Sequence, residues 1–249
     1  MLAALLPADA VAVEAFTDDP DAVLFAEEEA TLGRSVDKRR REFTTARVCA
    51  HRALATLGLP PAPILPGPRR EPQWPAGVVG SITHCAGYRA AAVAWSTDVV
   101  TIGIDAEPNA VVPPGVLDHV ALAEEHAWLG PLQAHHPEVC WDRLLFSAKE
   151  SVYKAWFPLA GRWLGFDDAV ITVEPSTGTF SARLLVAGPI VAGCELTGFT
   201  GRWMLGKGLL ITAITLPAVT APSITGPAIT APAVTAPSIT GPAVTGPEL

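Results

Sequence analysis

The sequence predicts an α+β body, and three observations predict it. Residues 141–157 (WDRLLFSAKESVYKAWF) repeat apolar positions at the period of a helix. Residues 78–83, 90–95 and 99–104 are short apolar runs of strand length. Helical and strand segments then follow one another without the regular strand–helix–strand alternation of a doubly wound sheet.

The elements can be taken in order. The opening residues MLAALLPADAVAVE lack a basic segment and meet Pro7, Asp9 and Glu14, so a signal peptide is not expected there. Residues 20–32 read as a helix ending at Gly33. A longer helix is expected from near Ser35 to Gly58, stopped by Pro60 and Pro61. Its apolar stripe is Phe43, Ala46, Ala50, Leu54 and Leu57. Its other faces carry Lys38, Arg39, Arg40, Arg41, Arg47 and Arg52. Residues 60–77 are rich in proline and glycine and predict a loop. The three strands follow, then a proline-rich loop from Pro108 to Pro114. Helices are expected over 116–129 and 141–157, and strands over 169–174, 182–187 and 209–215. No repeat relates the two halves residue by residue.

From Pro217 to Gly246 the chain repeats the pentad P-[AS]-[VI]-T-[AG]. A proline at every fifth position removes backbone donors and fixes φ, so neither a helix nor a central strand can run through. The segment also lacks the large side chains of a core. An extended, disordered tail without catalytic role is expected there. The regular prolines also argue against a membrane-spanning helix in the uncharged stretch after Lys207.

Of 249 residues, the 1–216 body suits one compact domain or two small fused ones. The net charge of −8 argues against non-specific nucleic-acid binding. Cys49, Cys85, Cys140 and Cys194 stand far apart with no C-x-x-C, which supports buried thiols in a reducing compartment over a zinc site or a disulfide framework. A soluble, cytoplasmic protein is expected, with no membrane and no nucleic acid among its partners.

Two stretches carry chemistry. Gly103-Ile104-Asp105-Ala106-Glu107 ends the third strand, and period-two alternation puts Asp105 and Glu107 on one side. Two such carboxylates repel unless a cation sits between them, and an oxygen-only set favours magnesium or manganese over zinc. The plainer alternative is a solvated strand end turning at Pro108. In the 141–157 helix, Trp141, Leu145, Ala148, Val152 and Ala155 form the apolar stripe, while Arg143, Ser147, Glu150 and Lys154 line another. Glu150 and Lys154 read either as an ordinary surface pair, worth about 0.2–0.5 kcal/mol, or as a carboxylate and a cation facing the metal and a phosphate. Arg40 and Arg47 share a helix face with Arg39 close by. Arg69 and Arg70 precede the first strand of the trio, and His84 follows Gly80-Ser81-Ile82-Thr83 at its end. These suit phosphate contacts, but a solvated charge run is the commoner reading of such arginines, and a hydrogen-bonded turn residue the plainer one of His84.

Taken together, G-I-D-A-E (103–107) and F-S-A-K-E-x-x-Y-K-A-W (146–156) resemble the signature of the 4′-phosphopantetheinyl transferases. A-R-V-C-A-H-R-A-L (46–54), G-S-I-T-H-C (80–85) and W-F-P-L-A-G-R-W-L-G-F (156–166) resemble its enterobactin-synthetase-type branch, actinobacterial members included. The resemblance implies transfer of phosphopantetheine from coenzyme A to a serine of an acyl or peptidyl carrier protein, with Mg²⁺ or Mn²⁺. It implies a monomeric pseudo-dimer of two similar α+β halves, residues 1–98 and 99–216, with the cofactor in the cleft between them and residues 217–249 as tail. Asp105 and Glu107 match the metal ligands, with the Ala106 carbonyl a third. Glu150 matches the carboxylate that completes the metal site or takes the serine proton, and Lys154 the lysine at the α-phosphate. Arg39 and Arg47 match arginines at the 3′-phosphate side of coenzyme A, and Thr83 and His84 the segment contacting its phosphates. The sequence departs from the pattern at Pro66, where relatives can carry a lysine, and Arg69 or Arg70 is the substitute. Lys149 is assigned to the nucleotide or the partner, and residues 156–166 with Arg162 to carrier docking. Against this stand a metal-dependent nuclease, disfavoured by the acidic charge, and a non-catalytic carrier-binding protein.

Overall fold

The computed structural model describes residues 1–33 and 36–218; nearly all of the pentad tail and the expected helix start at Ser35 lie outside the described residues. The elements are β1 (Ala10–Ala15), α1 (Ala26–Leu32), α2 (Asp37–Thr56), β2 (Val78–Cys85), β3 (Tyr88–Trp95), β4 (Val99–Pro108), α3 (Val116–Val120), α4 (Ala123–His135) and α5 (Trp141–Ala160). They continue with β5 (Ala169–Glu174), β6 (Thr179–Leu184), β7 (Ile190–Val191), β8 (Cys194–Glu195), β9 (Gly198–Gly206) and β10 (Leu209–Pro217). The strands pair antiparallel in the orders β1-β3-β2 and β4-β10-β9-β6-β5, with β7-β8 a separate short pair. The α+β class stands. No helix among the described residues is long and apolar enough to cross a membrane.

Alternation along β3 explains how the layers stack. Tyr88, Ala90, Ala92 and Ala94 pack with Ile102, Ile104 and Ala106 of β4 and Leu209, Ile211 and Ala213 of β10, in a core between the two sheets. Ala91 and Val93 point the other way, against Cys49, Ala50, Ala53 and Leu54 of α2. Small residues on both sides let α2 lie close to its sheet. On the second sheet, α5 buries Trp141, Leu144, Leu145, Ala148, Val152 and Trp156 against Leu210, Ile214, Ile171 and Phe180. Each fully buried Leu or Ile in such a core contributes about 1.5–3 kcal/mol.

Several boundaries differ from the sequence expectation. The helix expected over 20–32 begins only at Ala26, because the Glu28 carboxylate accepts the Phe25 N–H and caps the chain there. The helix expected over 116–129 is two, since Glu125 caps a new start by accepting the Leu122 N–H. The strand expected at 182–187 is Thr179–Leu184; beyond it the Leu185 N–H leaves the ladder for the Asp168 carbonyl. Helix α5 continues past Phe157 to Ala160 and closes on Gly161 at φ 62°. Strands β1 and β9 were not anticipated. In β9, glycines at 198, 201 and 206 interrupt the apolar pattern. At Gly201 a Cβ would fall 2.2 Å from the tip of the Phe180 ring, which would have to shift to admit it.

Candidate functional site

The site lies where β4 runs under α5. With Ile102, Ile104 and Ala106 turned into the inter-sheet core, the odd residues Thr101, Gly103, Asp105 and Glu107 face the helix. Thr101 donates its hydroxyl to the Ala155 carbonyl at 2.8 Å. At Gly103 the helix backbone comes so close that a Cβ would sit 2.0 Å from the Ser151 carbonyl oxygen. That contact fixes the level at which Asp105 meets α5.

Asp105 is 5% exposed and both its oxygens are taken. Oδ1 accepts from Lys154 Nζ at 2.7 Å and from Thr83 Oγ1 at 3.2 Å. Oδ2 accepts from Ser147 Oγ at 2.8 Å. Ser147 continues into a buried chain of hydroxyls with Thr212 and Ser151, at 3.0 and 2.6 Å. Lys154 also donates to the Ile104 carbonyl at 3.1 Å, which leaves its ammonium one further N–H. Glu107 pairs with Arg143 at 3.1 Å, and the same guanidinium donates to the Ala110 and Val111 carbonyls.

Burial and the Asp105 charge push Glu107 up to about 7, against the pull of Arg143 and Lys154. Burial also raises Glu150, with Lys154 opposing and Asp105 adding to the rise. Glu150 is half-buried, and its carboxylate has no hydrogen bond or ion pair among the described residues. It borders a slot lined by Tyr153, Trp163, Leu164 and Phe166, in which the Tyr153 and Trp163 rings lie 4.7 Å apart. An acidic pair that offers only oxygen ligands, one member buried and the other half-buried and raised by burial and by its neighbour's charge, is a setting a hard divalent cation relieves. Asp105 and Glu107 therefore fit such an ion.

The structure brings some of the expected residues together and separates others. Asp105 meets Lys154, and Glu107 meets Arg143 of the same helix. Glu150 lies on the same helix as Lys154 and feels the Asp105 charge. The anticipated cage of three carboxylates, Asp105, Glu107 and Glu150, is not formed: among the described residues no three Asp, Glu, His or Cys side chains gather as a metal site. Lys154, Ser147 and Arg143 occupy the acidic oxygens instead. Ala106 is fully buried, its N–H held by Thr83 Oγ1 at 3.1 Å.

His84 is half exposed at the end of β2, with Nδ1 4.0 Å from Glu42. Burial lowers it; Lys154, Arg89 and Arg39 lower it further, against Glu42. Of these neighbours Arg89 is paired with Asp18 and Glu42 and Lys154 with Asp105, which leaves Arg39 as the exposed cation near the imidazole. Arg69 is exposed on a tight loop, its N–H on Glu71 Oε2 at 2.8 Å, and its charge reaches Tyr153 of α5.

Three assignments change. Arg47 is 6% exposed, with Nε 3.9 Å from buried Glu28 and its guanidinium over the Phe43 ring at 4.7 Å, so it faces inward rather than toward a nucleotide. Thr83 is 2% exposed and its hydroxyl is turned to Asp105. Lys149 is buried on Glu125 at 2.7 Å and donates to the Val120 and Phe166 carbonyls, so it ties α5 to the chain beneath rather than reaching a partner. In the proposed docking stretch, Trp156 is fully buried while Trp163 is 62% exposed. Ser147 and Arg143 join the site through Asp105 and Glu107, and the stripe they share with Glu150 and Lys154 is the one sign of this in the sequence.

Residues 27–94 match the 4′-phosphopantetheinyl transferase N-terminal domain, and residues 101–193 match the 4′-phosphopantetheinyl transferase superfamily. The chain is 59% identical over 206 residues to the 4′-phosphopantetheinyl transferase Svp of Streptomyces mobaraensis, covering 82% of this chain and 84% of that protein. It is 49% identical over 214 residues to PptT of Mycobacterium tuberculosis, covering 82% and 92%. Enterobactin synthase component D of Escherichia coli is 34% identical over 128 residues, 51% of this chain and 59% of that protein. With both halves matched and an acid–lysine site where the two sequence motifs meet, the chain belongs to the 4′-phosphopantetheinyl transferase family.

Proposed function

We propose that this protein converts apo carrier proteins to holo form, moving phosphopantetheine from coenzyme A to a carrier serine and releasing adenosine 3′,5′-bisphosphate, as a holo-acyl-carrier-protein synthase type of transferase. The observation that carries the reading is the contact of Asp105 with Lys154, flanked by the Glu107–Arg143 pair and by Glu150 on the same helix as Lys154. Coenzyme A lies in the cleft between residues 1–98 and 99–216. The shared field of His84 and Arg39 from one half and Lys154 from the other supports that placement. Lys154 holds a phosphate oxygen with its remaining N–H, and His84 and Arg39 hold the nucleotide's outer phosphate.

Asp105 and Glu107 would hold magnesium or manganese, which when bound supplies charge neutralisation at the diphosphate. The carrier serine attacks the β-phosphorus in line; the new O–P bond forms as the bridging P–O bond to the nucleotide breaks. Glu150 takes the serine proton. Raised by burial and free of competing partners, it combines basicity with access. The apolar slot of Tyr153, Trp163 and Phe166 beside it receives the pantetheine arm and keeps water from the reacting centre. The protein acts as a monomer in the cytoplasm on carrier domains of fatty-acid, polyketide or nonribosomal-peptide type, without nucleic acid.

The test is mass spectrometry of an apo carrier protein incubated with the full chain, coenzyme A and magnesium. One phosphopantetheine gained per carrier domain is the expected result. No gain with any carrier class, or plasmid cleavage under the same conditions, would overturn the reading.

A further inference from the structure

The strand that bears Asp105 has a free edge. β4 ends the five-stranded sheet and β2 ends the three-stranded one, and no backbone ladder joins them. The inward amides of β4 are nevertheless paired. Ile104 N–H donates to Ser81 Oγ at 3.1 Å, and Ala106 N–H donates to Thr83 Oγ1 at 3.1 Å. Both contacts span 23 residues, so the two strands advance side by side in the same direction, joined through side chains. Ser81 and Thr83 are buried, as are Ile104 and Ala106. An apolar residue at either hydroxyl would leave a buried amide without a partner.

Thr83 does more than fill an edge. A hydroxyl has one proton, and here it goes to Asp105 Oδ1 at 3.2 Å while the oxygen accepts from Ala106. That proton is therefore committed to the carboxylate and cannot also be given to a phosphate. Ser147 fixes the other carboxylate oxygen from α5. The acidic group at the centre of the site is thus held from the N-terminal half by Thr83 and from the C-terminal half by Ser147.

We infer that Ser81 and Thr83 are positioning residues: their hydroxyls staple the strand carrying Asp105 to the N-terminal half, so that both halves set where this carboxylate stands. The catalytic importance of the staple rests on the proposed transferase reading; the staple itself does not.

The test uses Thr83→Val, Thr83→Ser and Ser81→Ala in the full chain. Amide exchange of Ala106 is read by NMR without coenzyme A or metal. Thr83→Val should speed it about tenfold or more, while Thr83→Ser keeps it near wild type. Ser81→Ala should instead speed exchange at Ile104, and it supplies the result if Thr83→Val fails to fold. In transfer assays Thr83→Val should lower kcat by about 10–100-fold with the KM for coenzyme A little changed, and Thr83→Ser should restore it. Unchanged Ala106 exchange, or a rise in the coenzyme A KM alone, would overturn the inference. If wild type shows no transfer but the exchange pattern holds, the functional reading fails and the staple survives.

Discussion

The two long helices of this protein make a controlled comparison. α2 and α5 are each 20 residues long and each lies on an antiparallel sheet. Each is tied down by a fully buried glutamate from a short helix that precedes it. Glu28 accepts the Phe25 N–H, the Ile64 N–H and a hydrogen bond from His51 of α2. Glu125 accepts the Leu122 N–H and the Ile171 N–H and pairs with Lys149 of α5. The same device, an acid that caps one helix and anchors the next, occurs in both halves. The difference lies in what each helix presents to its sheet. α2 offers Cys49, Ala50 and Ala53 to Ala91 and Val93. α5 offers Arg143, Ser147 and Lys154 to Asp105 and Glu107. One scaffold therefore serves twice, and a carboxylate-bearing strand beneath the helix turns the second copy from packing to chemistry.

Four changes break or sharpen that comparison, in falling order of effect. Glu150→Gln removes only a group without partners, so transfer should drop about 10²–10⁴-fold while the melting temperature stays put; steady-state kinetics beside calorimetry would show it. Glu125→Gln leaves the buried Lys149 ammonium uncompensated and should cost about 3–5 kcal/mol in urea unfolding. Gly103→Ala presses a methyl into the Ser151 carbonyl and should cost about 1–3 kcal/mol or more, with activity falling as α5 is pushed off β4. Ala91→Gly, in the α2 half, should lose stability without that loss of transfer.

The smallest effect is the pH dependence set by Glu28. Burial raises this carboxyl, but hydrogen bonds from His51, Ile64 and Phe25 outweigh it and hold it below its ordinary 4.5. A depressed carboxylate binds fewer protons folded than unfolded. Its contribution is therefore complete above that value and is lost as pH falls through the lower folded one. Glu14, lowered against burial by the N-terminal ammonium, Tyr88 and the Leu2 N–H, acts with the same sign. Melting curves from pH 6 to about 3 should fall less steeply in Glu28→Gln than in wild type, with Glu14 common to both. Equal slopes would remove Glu28 as an anchor.

Much of the site was legible before folding. Strand alternation put Asp105 and Glu107 together, helical period grouped Arg143, Ser147, Glu150 and Lys154, and the two patterns prove to face each other. The internal likeness of the halves leaves only a short trace in sequence, AEEEATL at 26–32 and AEEHAWL at 123–129 around Glu28 and Glu125, too brief to mark a repeat by itself. The fates of charges on one helix were not legible. Lys149 and Lys154 are both lysines of α5, yet one is buried on Glu125 and the other meets Asp105. Arg47 looked like its exposed neighbours and is buried on Glu28.

Local sequence settled which side chains share a face, because backbone geometry fixes the period of a helix or a strand regardless of surroundings. Folding alone decided what each face meets. The partners of Thr83, Arg47 and Lys149 stand 22, 19 and 24 positions away along the chain, and such contacts depend on how sheets and helices stack, about which short-range periodicity carries no information.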